Sequence, residues 1–109
     1  MDATDTRQPI LVVTTVATRD QARRLAQSLV EAGLAACAQL SDIESIYAWQ
    51  GGVQREPEVR LLLKTVAGRY DEVECALRAR HPYALPAIFA VPVTRAFGDY
   101  IDWIREETA

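Results

Sequence analysis

The sequence predicts an α+β fold with the element order β-α-β-β-α-β and one further helix at its C-terminal end. Three observations lead to this prediction. Apolar runs of strand length alternate with two segments in which apolar residues recur at helical spacing. The pair Gly51-Gly52 separates two long extended segments, which is typical of a β-hairpin. The 109 residues, 50% of them hydrophobic, match one globular domain.

The first strand and the first helix are predicted to meet near Thr18. Pro9 precedes the run 10–16 (ILVVTTV), whose β-branched residues alternate little with polar ones, so we expect a strand buried on both faces. Thr18 and Gln21 are spaced as a capping box, and Gly33 stands where a helix C-cap belongs. The apolar stripe between these caps comprises Ala22, Leu25, Ala26, Leu29 and Val30.

A long hairpin is predicted next. Its strands run from residue 35 to 50 and from residue 53 to about 66, on either side of Gly51-Gly52. The first strand carries on one side Ile43, Ser45, Tyr47 and Trp49. The second carries Val59, Leu61 and Leu63 on one side, and Arg60, Leu62 and Lys64 on the other. Pro57 cannot donate a backbone hydrogen bond, so it marks a bulge or an unpaired edge.

A second helix is predicted after Gly68, which ends the hairpin. Its apolar stripe comprises Tyr70, Val73, Ala76 and Leu77. The helix must end before Pro82, because a proline disfavours helical geometry in the residue that precedes it, here His81.

The C-terminal part of the chain is predicted to add an edge strand and a short helix. Residues 85–93 form a fourth extended segment, and Pro86 and Pro92 suit a position at a sheet edge. Asp99 is the predicted N-cap of the last helix. That helix carries Tyr100, Ile101, Trp103 and Ile104.

This order of elements is that of the ferredoxin-like split β-α-β fold. Right-handed crossovers then place the first two helices on one face of a four-stranded antiparallel sheet. Residues 1–8 are polar and are predicted to be a disordered tail, so the single domain spans residues 9–109.

The predicted hairpin is too long for the helices of its own chain to cover. A strand of about 14 residues spans roughly 45 Å, whereas a helix of about 15 residues spans about 22 Å. The overhang carries Ile46, Tyr47 and Trp49 and exposes strand edges, which favour aggregation unless something covers them. We therefore expect a homo-oligomer with closed symmetry. A hairpin that bends back over its own sheet is the alternative.

Charge and hydropathy exclude several classes of partner. The net charge is −3 and the sequence shows no basic face, so nucleic acid is not an expected partner. No apolar run approaches the roughly 20 residues of a membrane span, and residues 1–8 do not form a secretory leader, so we expect a cytoplasmic protein without a membrane partner. Cys37 and Cys75 form no CxxC pair and are expected to be buried thiols rather than a disulfide.

Three residues are candidates for a catalytic or ligand-binding role. His81 is either a metal ligand or proton carrier, or a loop histidine that bonds a nearby carbonyl. Lys64 either binds an anion in a cleft between subunits or forms a salt bridge with Glu58. Cys37 would be a nucleophile only if folding brought it beside His81.

Several segments taken together resemble one known family. They are, in chain order, 33–38 (GLAACA), 45–51 (SIYAWQG), 58–65 (EVRLLLKT), 81–83 (HPY), 91–93 (VPV) and 100–104 (YIDWI). This ordered set resembles the CutA family of divalent-cation tolerance proteins. The resemblance implies a ferredoxin-like homotrimer, similar in architecture to the PII signalling proteins. It also implies a role in tolerance of copper and other divalent cations, with no enzymatic reaction attached to it.

The resemblance also implies site residues. Copper binding in a bacterial member of the family is associated with a cysteine late in the first strand and two adjacent histidines before a Pro-Tyr pair. The matching positions here are Thr14, Arg80 and His81, so His81 is the predicted metal ligand, for Cu(II) or another divalent cation. The other residues that match the motifs, and that we expect around the subunit clefts, are Cys37, Tyr47, Trp49, Glu58, Lys64 and Tyr83.

Three functions are thus open at this point. The first is a homotrimer of the CutA kind that acts in divalent-cation tolerance without catalysis. The second is a sensor resembling PII proteins, which binds a small anion or nucleotide between subunits beside Lys64. The third is a hydrolase-like enzyme that uses Cys37 and His81.

Overall fold

The computed structural model describes residues 5–109, and in these residues the elements follow the predicted order. The strands are β1 (Pro9–Val16), β2 (Cys37–Trp49), β3 (Gly52–Val66) and β4 (Ile88–Pro92). The α-helices are α1 (Arg19–Glu31), α2 (Tyr70–Arg80) and α3 (Gly98–Glu107), and a 3₁₀ turn at Ala67–Arg69 precedes α2. The strands form one antiparallel sheet in the order β2-β3-β1-β4. The α+β fold class and the predicted edge position of β4 are therefore confirmed.

The predicted tail, residues 1–8, lies partly outside the described residues, since residues 1–4 are not among them. At its described end, the Gln8 carbonyl accepts a hydrogen bond of 2.8 Å from the N–H of Ala67. The Gln8 side chain donates to the carbonyl of Val93 at 2.7 Å. These bonds attach the segment before β1 to two other parts of the fold.

Both predicted caps of α1 are present. The Thr18 hydroxyl accepts from the N–H of Gln21, and the Gln21 side chain accepts from the N–H of Thr18, each at 3.2 Å. At the C-terminal end, Gly33 has a φ of 71°, and the Leu34 N–H returns to the Leu29 carbonyl at 3.0 Å. This closure, with glycine in the left-handed region, is the Schellman motif.

Val30 does not belong to the buried stripe of α1 as predicted, because its side chain is 41% exposed. Ala22, Leu25 and Leu29 face the sheet and are buried. With about 3.6 residues per turn, Val30 falls at the margin of that stripe, beyond the reach of the sheet.

The hairpin turn lies one residue earlier than predicted. Trp49 pairs with Gly52, so the two central residues are Gln50 and Gly51, with φ values of 50° and 79°. Positive φ at both positions is the signature of a type I′ turn, whose twist matches that of the strands. This register sets Leu40 opposite Leu61, whereas a turn at Gly51-Gly52 would set Asp42 opposite Leu61, which is fully buried.

The hairpin overhangs the rest of the sheet, as predicted. β1 pairs with β3 only over Val59–Val66, so residues 52–58 have β2 on one side and an open edge on the other. Pro57 lies in this part, and the register runs through it without a bulge. Of the two predicted alternatives for Pro57, a bulge or an unpaired edge, the unpaired edge is therefore correct. The longest extent of the chain is 43 Å, against 28 and 24 Å in the other directions, so the hairpin does not bend back over the sheet.

The main core lies between the sheet and the first two helices. It contains Val12, Val16, Leu25, Leu29, Leu61, Leu63, Val73 and Leu77, all 5% exposed or less. The opposite face of β1, with Leu11, Val13 and Thr15, is only half-buried. The prediction that β1 is buried on both faces is therefore wrong for a single chain, because α1 and α2 cover one face.

Helix α3 packs at one end of the other face. Its Ile101 and Ile104 form a second small core with Ala36 and Val66. Asp99 is not the N-cap as predicted. The cap position is Phe97, whose side chain makes no capping bond, and Asp99 lies in the first turn, where a carboxylate still interacts favourably with the helix dipole. Among residues 5–109, no helix has the length and apolar character needed to cross a membrane.

The cysteines are free, and the expectation that both are buried is not met. Cys75 is exposed on α2, and Cys37 is half-buried at the start of β2. Neither lies in the main core, because that core is filled by the aliphatic side chains of the strands and of the first two helices.

Candidate functional site

A wide cleft lies between the overhanging hairpin and the segment 82–87 that joins α2 to β4. Its volume is about 690 Å³, within the range typical of small-molecule sites. Its lining comprises Thr15, Ser45, Ile46, Tyr47, Trp49, Glu56, Glu58, Pro82, Tyr83, Ala84, Leu85 and Ala87.

The hairpin supplies the first wall through the alternation of its strands. Ser45, Tyr47 and Trp49 lie on one face of β2 because successive side chains of a strand point to opposite faces. Ser45 pairs with Glu56 across the hairpin, and residues directly opposite each other share a face. The overhang thus presents two aromatic rings and the Glu56 and Glu58 carboxylates on the same side.

The segment after α2 supplies the second wall. His81 is extended, with φ −71° and ψ 135°, and so ends the helix ahead of Pro82 as predicted. The Tyr83 N–H donates to His81 Nδ1 at 3.2 Å, which turns the chain back toward the hairpin. The Tyr83 hydroxyl then donates to Glu58 Oε2 at 2.8 Å. This bond spans the cleft and joins its two walls.

His81 does not line the cleft but holds the Tyr83 wall in place. Its Nδ1 accepts from Tyr83, so the neutral ring carries its proton on Nε2, which lies 3.1 Å from the hydroxyl oxygen of Thr14. Burial lowers the pKa of His81, although a backbone hydrogen bond and Glu58 act in the opposite direction. Both ring nitrogens are thus engaged, and ligation of a metal by His81 would require one of these bonds to break. Metal ligation by His81 stays a prediction.

The positions that resemble copper ligands do not form a ligand set in this chain. Thr14 is fully buried and bonds His81, whereas Arg80 points to α1, where its Nη1 donates to Ser28 Oγ at 2.6 Å. Within residues 5–109 no three His, Cys, Asp or Glu side chains converge as metal ligands would. The carboxylates of Glu56 and Glu58 are the donors in the cleft that suit a divalent cation.

The electrostatic character of the cleft is negative. Among the described residues that line it there is no lysine, arginine or histidine. Burial raises the pKa of the Tyr83 hydroxyl, and its hydrogen bond to Glu58 raises it further. The pKa of Tyr47 is also raised, by burial and then by Glu56. Both phenols are therefore neutral near pH 7, and that of Tyr83 donates to Glu58.

Lys64 and Cys37 belong to another part of the molecule. They pair with each other near the far end of the hairpin, beside α3. Lys64 Nζ donates to the Tyr100 hydroxyl at 2.9 Å and lies 5.2 Å from the centroid of that ring. The hydrogen bond to Tyr100 raises the pKa of Lys64, so the ammonium stays charged. The predicted salt bridge to Glu58 is absent, because Glu58 lies six residues away along β3 and bonds Tyr83.

The structure therefore divides the predicted site residues into two groups. Tyr47, Trp49, Glu58 and Tyr83 meet in the cleft, with His81 behind them. Cys37 and His81 lie on opposite faces of the sheet within one chain. Cys37 pairs with Lys64, whose side chain faces α3, whereas His81 contacts Thr14 on the face covered by α1 and α2.

Sequence reasoning missed Glu56, Leu85 and Tyr100. Glu56 has the same parity in β3 as Glu58, so the period-two alternation could have placed it in the cleft. Leu85 and Tyr100 have no such local signal, because their contacts depend on how distant segments return to the sheet.

Comparisons of the sequence with known families and known proteins point to the same family. The sequence profile of the family described as CutA1 divalent ion tolerance protein matches residues 10–107. The divalent-cation tolerance protein CutA of Thermus thermophilus is 39% identical over 99 residues, which are 90% of this chain and 96% of that protein. The chloroplastic protein CutA of Arabidopsis thaliana is 33% identical over 108 residues, which are 98% of this chain and 59% of that protein.

A solved structure agrees along nearly the whole chain. The periplasmic divalent cation tolerance protein CutA from Archaeoglobus fulgidus superposes with a TM-score of 0.91 at 31% identity, covering 93% of this chain and 99% of the other. Profile, sequence and fold thus agree over the same residues, and the chain belongs to the family of CutA1 divalent ion tolerance proteins.

Proposed function

We propose that this protein acts in divalent-cation tolerance as a homotrimer that binds divalent metal cations, copper(II) among them, and catalyses no reaction. The observation that carries the metal part is the pair of carboxylates, Glu56 and Glu58, in a cleft without a cationic side chain among the described residues. Carboxylates suit divalent cations, and family membership supplies the context of tolerance. Two carboxylates leave room in the coordination shell for water or for groups of a second subunit.

The homotrimer is supported by the apolar side chains and the sheet edges that a single chain leaves exposed. Ile46 and Val53 on the hairpin are 67% and 77% exposed, and Phe89 on β4 is 51% exposed. β2 and β4 form the two outer edges of the sheet, and open edges favour pairing with another chain. A second and third copy would cover these surfaces.

Isothermal titration calorimetry with Cu(II) and with Zn(II) tests the metal part. We expect Glu56→Gln and Glu58→Gln to weaken binding roughly tenfold each, by the loss of one charged ligand. Glu44→Gln is the matched control, since Glu44 lies on the opposite face of the same hairpin and pairs with Pro57. Equal affinities in the wild type and in both cleft variants would refute the assignment.

His81→Ala, in the same titration, separates the two candidate ligand sets. If His81 ligates the metal, this variant loses affinity as strongly as the glutamate variants do. If the carboxylates hold the metal and His81 supports Tyr83, the loss is smaller and follows the displacement of Tyr83. The second outcome is the one we expect, because both ring nitrogens of His81 have partners.

The absence of catalysis and the cytoplasmic location belong to the same proposal. A catalytic thiol–imidazole pair requires the two side chains to lie within hydrogen-bond distance. Cys37 and His81 lie on opposite faces of the sheet in one chain, which supports the absence of such a pair. Fractionation of cells expressing the full chain tests the location, and recovery outside the cytoplasm would refute it.

A second candidate function is a sensor of small anions, by analogy with PII proteins. It is favoured by Lys64, which stays charged beside Tyr100 on the face that α3 leaves partly open. Thermal-shift screening of nucleotides and carboxylates tests it, with Lys64→Met compared with the wild type. A stabilisation that Lys64→Met abolishes would favour the sensor, and a flat response would count against it.

A further inference from the structure

His81 is the only histidine of the chain, and hydrogen bonds hold its ring on both sides. Its Nδ1 accepts from the N–H of Tyr83 at 3.2 Å, and its Nε2 lies 3.1 Å from the hydroxyl oxygen of Thr14. With Nδ1 as the acceptor, the neutral ring keeps its proton on Nε2 and donates it to Thr14. We call these three residues the His81 latch. In the latch, the single lone pair of the neutral ring is already in use.

The contact between Thr14 and His81 is internal to one chain, so it does not depend on how further copies assemble. Thr14 is fully buried within the single chain, and it lies opposite the core residue Leu61 on the face that α1 and α2 cover. The surfaces that we assign to neighbouring subunits are the overhanging hairpin, the open face of the sheet and its two outer edges. Thr14 lies on none of these surfaces.

Thr14 and Arg80 occupy positions for which the resemblance to the CutA family implies copper ligands, and neither side chain suits that role. A guanidinium stays charged and has no acceptor atom, and that of Arg80 donates to Ser28 on α1 at 2.6 Å. A threonine hydroxyl is a neutral oxygen, whereas Cu(I) selects soft thiolate and thioether ligands. The donor set of Thr14, Arg80 and His81 therefore does not fit Cu(I).

The two thiols of the chain do not replace the missing ligand beside His81. Cys37 lies on the face of the sheet opposite to Thr14, and Cys75 is exposed on α2. Within residues 5–109, no three His, Cys, Asp or Glu side chains converge, so neither thiol completes a metal site with His81 in one chain.

We propose that this protein has no Cu(I) site at the positions that the family resemblance marks, and that Thr14 and His81 instead form a latch that positions Tyr83. Its metal ligands are then carboxylates, which suit divalent cations better than they suit Cu(I). This selectivity deepens the metal function proposed above, on which its divalent part rests. The Cu(I) part rests on the latch alone.

Nitrogen-15 NMR of the untagged full-length protein tests the latch, because every imidazole signal comes from His81. At about pH 8 the signals should show one neutral tautomer, with the proton on Nε2. Cu(I), kept reduced by ascorbate without oxygen, should leave these signals unshifted even where Cys37 or Cys75 binds the ion. The other tautomer, or a shift of either ring nitrogen on addition of Cu(I), would overturn the proposal.

Restoration of the missing ligands gives the converse test. The background lacks the native thiols through Cys37→Ser and Cys75→Ser. In this background, Thr14→Cys and Arg80→His place a thiol and a second imidazole beside His81. The restored variant should take Cu(I) from the chelator bicinchoninate at least about 100-fold more strongly than the background does, and Cu(I) should shift its His81 signals. Equal competition by the two proteins would contradict the proposal.

Thr65→Cys with Arg78→His, in the same background, is the matched control. Thr65 is also fully buried, on the neighbouring strand β3, and Arg78 lies in the last turn of α2. Cu(I) should leave the His81 signals of this control unshifted, and a shift equal to that of the restored variant would count against the proposal. The wild-type spectrum keeps the proposal testable if the restored variant does not fold.

Failure of this proposal is distinguishable from failure of the metal function. The divalent cations Cu(II) and Zn(II) are titrated without a reductant, and Cu(I) is measured with one. Lack of divalent binding would refute the metal function and leave the Cu(I) result unchanged. Ligation of Cu(I) by His81 beside normal binding of Cu(II) would refute the latch alone.

Discussion

Tyr83 is the residue on which the shape of the cleft most depends. Its hydroxyl donates to Glu58 on the hairpin, and its backbone N–H donates to His81 at the end of α2. The first bond joins residues 25 positions apart, so it closes a loop of chain as well as satisfying a carboxylate. A carboxylate left without this donor in a half-buried cleft would carry a desolvation cost.

Removal of this donor should therefore destabilise the fold. We expect Tyr83→Phe to lower the free energy of unfolding by about 1 kcal/mol, the usual range for a partly solvated bond to a charged group. Urea denaturation measures this value. In a double-mutant cycle with Glu58→Ala, which removes the acceptor, the two losses should not add, because both variants remove the same interaction. Additive losses would mean that the bond does not form in solution.

His81 should make stability depend on pH near neutrality. Its pKa in the folded protein is lowered from 6.5 by burial, so the unfolded chain binds a proton more readily than the folded one. The contribution of His81 is therefore present above about pH 6.5 and is lost as pH falls through the lowered folded pKa. The thermal midpoint should fall more between pH 7.5 and 5.5 in the wild type than in His81→Asn. Parallel losses in the two proteins would contradict this assignment.

At the scale of the element, the hairpin turn holds a strained residue. Gln50 adopts a φ of 50°, and among residues 5–109 it is the one residue other than glycine with a positive φ. A type I′ turn prefers Asn or Gly at this position, because a longer side chain pays a steric penalty in the left-handed region. The register of the core strands nevertheless holds Gln50 there, since Leu40 must lie opposite Leu61.

Relief of this strain should stabilise the hairpin. We expect Gln50→Asn to raise the free energy of unfolding by about 0.5 kcal/mol, on the scale of left-handed turn preferences. Gln54→Asn is the matched control, because Gln54 lies in β3 of the same hairpin, where asparagine is disfavoured. Thermal or urea denaturation of both variants measures the difference. A destabilised Gln50→Asn protein would place the turn elsewhere.

The elements show which parts of the fold local patterns can predict. The caps of α1, the end of α2 before Pro82 and the two faces of β3 follow from short-range chemistry, so the sequence predicts them. The turn was misplaced by one residue because both Gln50-Gly51 and Gly51-Gly52 have a glycine. The choice between them depends on strand pairing some ten residues away.

The cleft was predictable on one side only. Alternation along the hairpin places Tyr47, Trp49 and Glu58 on a shared face, which sequence patterns reveal. The return of the segment 82–87 to that face depends on packing of α2 against α1 and on β4 pairing with β1, both of which are long-range. For the same reason the salt bridge to Glu58, one of the two roles considered for Lys64, does not form, and Lys64 contacts Tyr100 on α3.

At the scale of the whole molecule, the single chain has one well-covered face and one that is largely open. α1 and α2 bury one side of the sheet, whereas Phe89 and Val91 on β4 remain 51% and 44% exposed. The overhanging hairpin exposes further apolar side chains, Ile46 and Val53, on its opposite face, beyond the reach of the helices. Surfaces of this kind usually mark contact with another subunit. A closed ring of copies would cover each of them in the same way.

The mass in solution is the measurement that tests this account most directly. Size-exclusion chromatography with multi-angle light scattering should give three times the 12.1 kDa of one chain. The value should persist on dilution to low micromolar concentration, because an interface that completes the core of a small domain is expected to be tight. A mass of one chain would contradict the account, since the exposed hairpin and sheet face would then have no partner.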